Sequence, residues 1–248
     1  MRRKIYQELL QWKQRNGESA LLVQGARRVG KSYIVEAFAK AEYKSYILID
    51  FNLVDQQVKE MFEHDLVDLK TFFMKLTTYY GVKLYERESL IIFDEVQLFP
   101  RARSAIKYLV ADGRYDYIET GSLISIRENV KDILIPSEED HVDMYPLDFE
   151  EFLWANNAGE DAVRHLQESF IAGMSLDDNT HSYIMDLFRK YLLVGGLPDA
   201  VNTFLLPMRF RSLRYIRTPA RNRPCSFLFS RIFHSPRLFF SCFRDLTG

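Results

Sequence analysis

Two cysteines in 248 residues, Cys225 and Cys242, are too few for a disulfide framework. The five histidines show no metal-ligand spacing with them, which removes zinc and related nitrogen–sulfur sites from consideration. No apolar run approaches the ~20 residues that a membrane-spanning helix needs. The chain starts Met1-Arg-Arg-Lys4, but this basic start leads into an amphipathic segment with Ile5, Leu9 and Trp12 rather than the continuous apolar core of a signal peptide. A cytoplasmic location without a membrane partner is therefore expected. Internal repeats and low-complexity tracts are also missing, so solenoid and fibrous architectures drop out.

The overall composition is ordinary, with 47% hydrophobic and 27% charged residues, but the average conceals a break. Residues 1–204 carry 24 Lys and Arg against 33 Asp and Glu, whereas residues 205–248 carry nine Arg, no Lys and the single acid Asp245. Both cysteines and four of the eight prolines (Pro207, Pro219, Pro224 and Pro236) fall in that tail. Phe227, Phe229, Phe233, Phe239, Phe240 and Phe243 follow neither a helical nor a strand period. Two readings stand. An all-arginine segment suits nucleic acid or acidic lipid, and a shifted reading frame yields the same abrupt change in residue usage. On the second reading the tail is non-native or disordered and dispensable.

What the chain does contain begins at Ala20-Leu-Leu-Val-Gln-Gly25, a short apolar run suited to a buried parallel strand. It enters Gly25-Ala-Arg-Arg-Val-Gly-Lys-Ser32, a complete G-x-x-x-x-G-K-[ST] phosphate loop, the Walker A pattern. Gly25 and Gly30 would let the backbone turn tightly and point its N–H groups inward, so that Gly25, Ala26, Arg27, Arg28, Val29, Gly30, Lys31 and Ser32 line a nucleotide. The following helix adds its unpaired N-terminal donors and the positive end of its dipole. Lys31 is expected at the β- and γ-phosphates of ATP, and the Ser32 hydroxyl on Mg²⁺. Tyr33, Ile34, Ala37, Phe38 and Ala41 mark that helix. The bland alternative is a glycine-rich turn that holds a lysine.

A second acidic site stands 63 residues beyond Lys31, where the apolar strand 90–93 ends in Asp94 and Glu95, the Walker B pattern. Asp94 would hold Mg²⁺ through its water shell, and Glu95 would polarise the water that attacks the γ-phosphate. The alternative is that the two acids cap the helix starting near Pro100. Between the motifs come a strand over residues 45–51 and one helical region over 56–80. This alternation argues for a doubly wound α/β parallel sheet with right-handed crossovers. A helix over 101–112, with Ala105, Ile106, Leu109 and Val110 as its stripe, precedes a further strand that ends at Thr120-Gly-Ser122. Thr120 and Ser122 are the candidate sensor residues between γ-phosphate and water, unless they cap a helix over 123–129; the spacing does not choose between them.

Taken with Tyr145-Pro-Leu-Asp-Phe-Glu-Glu-Phe152, the pair Arg27-Arg28 and Gly195-Gly-Leu-Pro198, these motifs resemble the AAA-type prokaryotic P-loop ATPases that normally end in a domain of unknown function. The likeness covers residues 1–204. It implies an ATP-hydrolysing core over 1–145, a helical lid or adaptor over 146–204, and a C-terminal domain missing from the chain. It also implies Gly25, Gly30, Lys31 and Ser32 as nucleotide and metal contacts, Asp94 on magnesium and Glu95 in catalysis. Arg127 is the one candidate arginine finger, with a solvated helix residue as the alternative. Arg27 and Arg28 either touch phosphate or pair locally.

The expected sheet order is 5-1-4-3-2, with its last strand at 141–145 and a small helical region after it. In that region Asp148 and Glu151 are spaced as a capping box. A later helix shows Tyr183, Ile184, Leu187, Phe188, Tyr191 and Leu192 on a wide apolar face, expected to pack on a missing domain or a partner. The function read from these residues is Mg²⁺-dependent hydrolysis of ATP. A P-loop kinase would need an arginine-rich lid that residues 1–204 do not offer. A nucleotide-gated switch controlling a protein client or a nucleic acid is the other reading, and neither client nor oligomeric state is encoded legibly.

Overall fold

The structure, a computed structural model, describes residues 1–122, 139–158 and 160–206. Arg127, the helix expected over 123–129 and the tail from residue 207 lie outside the described residues. The chain divides into two compact units, one formed by Arg3–Tyr145 and the other by Met1–Arg2 with the residues from Pro146 on.

The first unit opens with α1 (Ile5–Lys13), whose buried Ile5, Leu9 and Trp12 form the amphipathic face read from the sequence. Then follow β1 (Ala20–Gly25), α2 (Lys31–Glu42), β2 (Ser45–Asp50), α3 (Gln56–His64), α4 (Leu69–Tyr80), β3 (Ser89–Asp94), α5 (Pro100–Asp112), β4 (Asp116–Ser122) and β5 (Glu139–Met144). The five strands pair in parallel in the order β2-β3-β4-β1-β5, the expected order written from the other edge. Every residue of β3 and β4 is buried, as strands covered on both faces require. On one face Leu21, Val23, Leu90, Ile92 and Ile118 pack with α1 and α2. On the other, Leu22, Ile91, Phe93 and Tyr117 pack with α3, α4 and α5. This is the doubly wound P-loop fold, and it gathers the carboxyl ends of β1, β3 and β4 on one rim.

Local expectations shift in four places. The region 56–80 is two helices, because Asp68 accepts the Lys70 N–H (3.1 Å) and caps a new start at Leu69. The buried stripe of α2 is Lys31, Ile34, Val35, Phe38 and Ala39, while Tyr33 and Ala41 face outward. The last strand begins two residues earlier than the expected 141–145, with Glu139 hidden against a buried arginine. The apolar face of the helix Asp178–Val194 is the fourth case, described below.

That arginine is Arg103 on α5, whose Nη2 donates to both Glu139 carboxylate oxygens (3.1 and 2.9 Å). Glu119, wholly buried on β4, has neither carboxylate oxygen hydrogen-bonded among the described residues, and the same holds for Arg103 Nε and Nη1. Burial, and then the charge of Glu139, push the Glu119 acid well above the usual carboxylate range, against the opposing pull of Arg103. A raised folded value means that the folded chain binds the proton more tightly than the unfolded one. Stability therefore falls as pH rises above the unfolded value of about 4.3. Glu139 and Arg103 are the ionisable groups that act on Glu119, and His141 stands beside Glu139 in turn. Glu119→Gln should flatten this slope, measured by urea unfolding at about pH 6 and about pH 9. An unchanged slope would mean that Glu119 does not carry the proton.

The second unit is helical: α6 (Phe149–Ala155), α7 (Glu160–Ala172), α8 (Asp178–Val194) and α9 (Pro198–Leu205). Asp148 accepts the Glu151 N–H (2.8 Å) while Glu151 accepts the Asp148 N–H (3.2 Å), which closes the capping box read from the sequence. On α8, Ile184, Leu187 and Tyr191 are buried inside this unit, where Tyr191 packs with Leu147, Phe152 and Val201. Only the flanks of the expected face, Tyr183 and Leu192, stay exposed. Most of that face is internal core.

Candidate functional site

The phosphate loop is shaped by two glycines that do different work. Gly30, at the N-cap of α2, sits at φ +94°, in the left-handed region open to glycine at little cost. Gly25 is extended, and its need is steric. A Cβ there would lie 2.1 Å from the Met144 carbonyl oxygen on β5. The expectation of a tight turn at both glycines thus holds for Gly30, while at Gly25 a neighbouring strand forbids a side chain. Between them Val29 is fully buried and anchors the loop in the α1–α2 core. Arg3, not singled out in the sequence, is buried too: its Nη1 donates to the Val29 carbonyl (2.9 Å) and its Nη2 to that of Tyr145 (2.6 Å). It ties the loop to the end of β5.

Lys31 opens α2 and is only 6% exposed. Its Nζ donates to the loop carbonyls of Gly25 (3.2 Å) and Ala26 (3.0 Å). Burial lowers its affinity for the proton, opposed by the attraction of Glu95 and Asp94 and aided by Arg27. Ala26, Arg27 and Arg28 are exposed, and Arg28 stands at φ +66°. Neither arginine pairs locally among the described residues.

Across the rim, Asp94 at the end of β3 is buried, and its Oδ1 accepts from two hydroxyls, Ser32 Oγ at 2.7 Å and Thr120 Oγ1 on β4. The Thr120 oxygen in turn accepts the Glu95 N–H (3.3 Å). The ends of β3 and β4 and the first turn of α2 are thus stitched through one carboxylate. Ser122, opposite Gly25 in the strand register, joins none of these bonds. Glu95 is half-buried at φ +54°, at the entrance of a single 3-10 turn (Val96–Leu98). Its carboxylate accepts from the side-chain amide of Gln97. Neither acid caps α5, which starts at Pro100 with no side-chain cap; the turn holds them apart from it.

Ser32 and Asp94 offer hard oxygen donors 2.7 Å apart, a set that suits Mg²⁺. Among the described residues no group of three or more His, Cys, Asp or Glu could hold a metal by itself.

Residues 17–153, more than half of the chain, match the model of a family described as an AAA domain. The chain belongs to this AAA-domain family. Its members are P-loop ATPases, and the stretch matched holds the loop, the acidic strand end and Thr120. Among solved structures, the AAA chain is similar to the Walker-type ATPase PABY2304 of Pyrococcus abyssi, at 18% identity over 82% of this chain and 66% of that one, with a TM-score of 0.48. It is similar also to the Aeropyrum pernix ORC1 protein, solved in complex with DNA (11% identity, 61% and 48% covered, TM-score 0.41). Caenorhabditis elegans PCH-2 is a third (14% identity, 87% and 63% covered, TM-score 0.45). The chain spans about half to two thirds of the length of these relatives. No curated protein matches it.

The structure brings together Lys31, Ser32, Asp94, Glu95 and Thr120, all singled out in the sequence, and adds two buried residues that were not, Arg3 and Gln97. A lone arginine before a helix and a glutamine after two acids carry no periodic signal; only the fold reveals that both are buried.

Proposed function

We propose that this AAA chain binds ATP with Mg²⁺ and hydrolyses its terminal phosphoanhydride bond. The observation that carries the reading is the convergence on one rim of Lys31, Ser32 and Asp94, with Glu95 joined to Asp94 through Thr120. The loop and the first turn of α2 bind the phosphates through backbone N–H groups, and Lys31 exchanges its carbonyl partners for phosphate oxygens. Ser32 and Asp94 would hold Mg²⁺, which when bound neutralises charge on the β- and γ-phosphates. Glu95 takes a proton from the attacking water, and Thr120 holds the Glu95 backbone in register with Asp94. Thr120, rather than Ser122, is the sensor on this reading, since it alone bonds to both acids.

Phosphate release from ATP that depends on added Mg²⁺ tests the activity. The metal assignment has its own test. Asp94→Ala should weaken Mg²⁺-ATP about tenfold to a hundredfold while leaving metal-free ATP nearly unchanged, because a ligand's worth disappears with its metal. Calorimetric titrations with and without Mg²⁺ measure both. Equal weakening would make Asp94 a structural carboxylate.

A further inference from the structure

Gln97 is 4% exposed, and its side chain is not used for packing alone. Within the 3-10 turn closed by the Leu98 N–H on the Glu95 carbonyl (2.9 Å), its amide reaches back two residues, and Nε2 donates to Glu95 Oε2. The other end of the same amide, Oε1, is buried and accepts no hydrogen bond among the described residues. Turning the amide over would set that oxygen against the carboxylate, so the sense of the donor is fixed by charge. A buried amide that leaves its acceptor unpaired would be better replaced by a leucine or methionine of like volume, unless its donor does something an apolar chain could not. What the donor meets is the one acid whose placement matters most, on a non-glycine residue held at φ +54°. The Glu95 backbone is fixed independently, through its N–H to Thr120 (3.3 Å).

From this arrangement we infer that Gln97 is a positioning residue for Glu95: its amide holds Oε2 so that the other carboxylate oxygen is presented to the attacking water. The inference rests on the reading of Glu95 as the general base. No bond to the substrate is involved, so the role should show in turnover and not in nucleotide binding.

The experiment compares Gln97→Met and Gln97→Leu, which keep the volume and remove the donor, with Glu95→Gln and the double variants. In each, steady-state phosphate release and calorimetric ATP affinity are measured. For either Gln97 variant, kcat should fall about tenfold to a hundredfold, a share of what a general base contributes, with KM and ATP affinity unchanged. In the Glu95→Gln background the same Gln97 substitutions should have no further effect, because the two residues act as one unit. Loss of ATP affinity in parallel with kcat in both Gln97 variants would mean a structural role and overturn the inference. So would an unchanged or higher kcat; a rise would make Gln97 a latch that restrains Glu95. If Glu95→Gln hydrolyses at the parent rate, the catalytic reading itself fails and the positioning role falls with it. If Glu95→Gln is inactive and the Gln97 variants are fully active, only the positioning role fails.

Discussion

Glu95→Gln should bind ATP as tightly as the parent and hydrolyse it about 10²–10⁴ times more slowly, the range that a general base contributes. The amide keeps the shape of the carboxylate and cannot accept the proton of water. Lys31→Ala should do the opposite. Its ammonium is the buried positive charge of the loop, held against the Gly25 and Ala26 carbonyls where phosphate would replace them. Removing it takes a charge-assisted contact from the ground state as well as from the transition state, so ATP affinity itself should collapse. Calorimetry for binding and phosphate release for turnover separate the two variants. A Glu95→Gln protein that turns over at the parent rate, or a Lys31→Ala protein that still binds ATP, would remove the residue from its assigned role.

Gly25→Ala should be as damaging through sterics alone. With Met144 O only 2.1 Å from the added Cβ, either β5 must move off β1 or the loop must lift, and both elements are buried backbone that cannot yield as a side-chain tip could. Overpacking of this kind costs about 3 kcal/mol. The thermal midpoint should drop, and ATP affinity should fall with it, because the displaced segment is the start of the phosphate loop. Retention of both the midpoint and the affinity would show that the strands part without cost.

The parallel α/β sheet could be read from the sequence because apolar runs and helical stripes alternate around the phosphate loop, and the acidic end of β3 serves that loop from across β4. Strand and helix limits were less legible where polar residues are buried. Glu139 begins a strand that hydrophobicity places two residues later, since its burial is offset by Arg103, 36 positions away in sequence. The break between α3 and α4 depends on a single aspartate cap within an otherwise helical pattern. In the site, the residues singled out from the sequence carry a chemical signature in their type, whereas Arg3 and Gln97 are buried partners that only the fold reveals. The choice between Thr120 and Ser122 needed the third dimension: two residues apart on one strand, they share a face, and only the former reaches Asp94.

The pairing of Lys31 with its own loop has a consequence for how a nucleotide arrives. An ammonium in open solvent must shed its water shell before it can grip a phosphate, and that dehydration slows and weakens the encounter. Here the shell has already been replaced by two carbonyl oxygens, and the chain retains the shape of the anion's cradle by folding its own cation into it. Arrival of a phosphate is then an exchange of one set of oxygen partners for another, more negatively charged set. The loop and its lysine thus form an ion–dipole complex of their own, which a phosphate would enter by substitution.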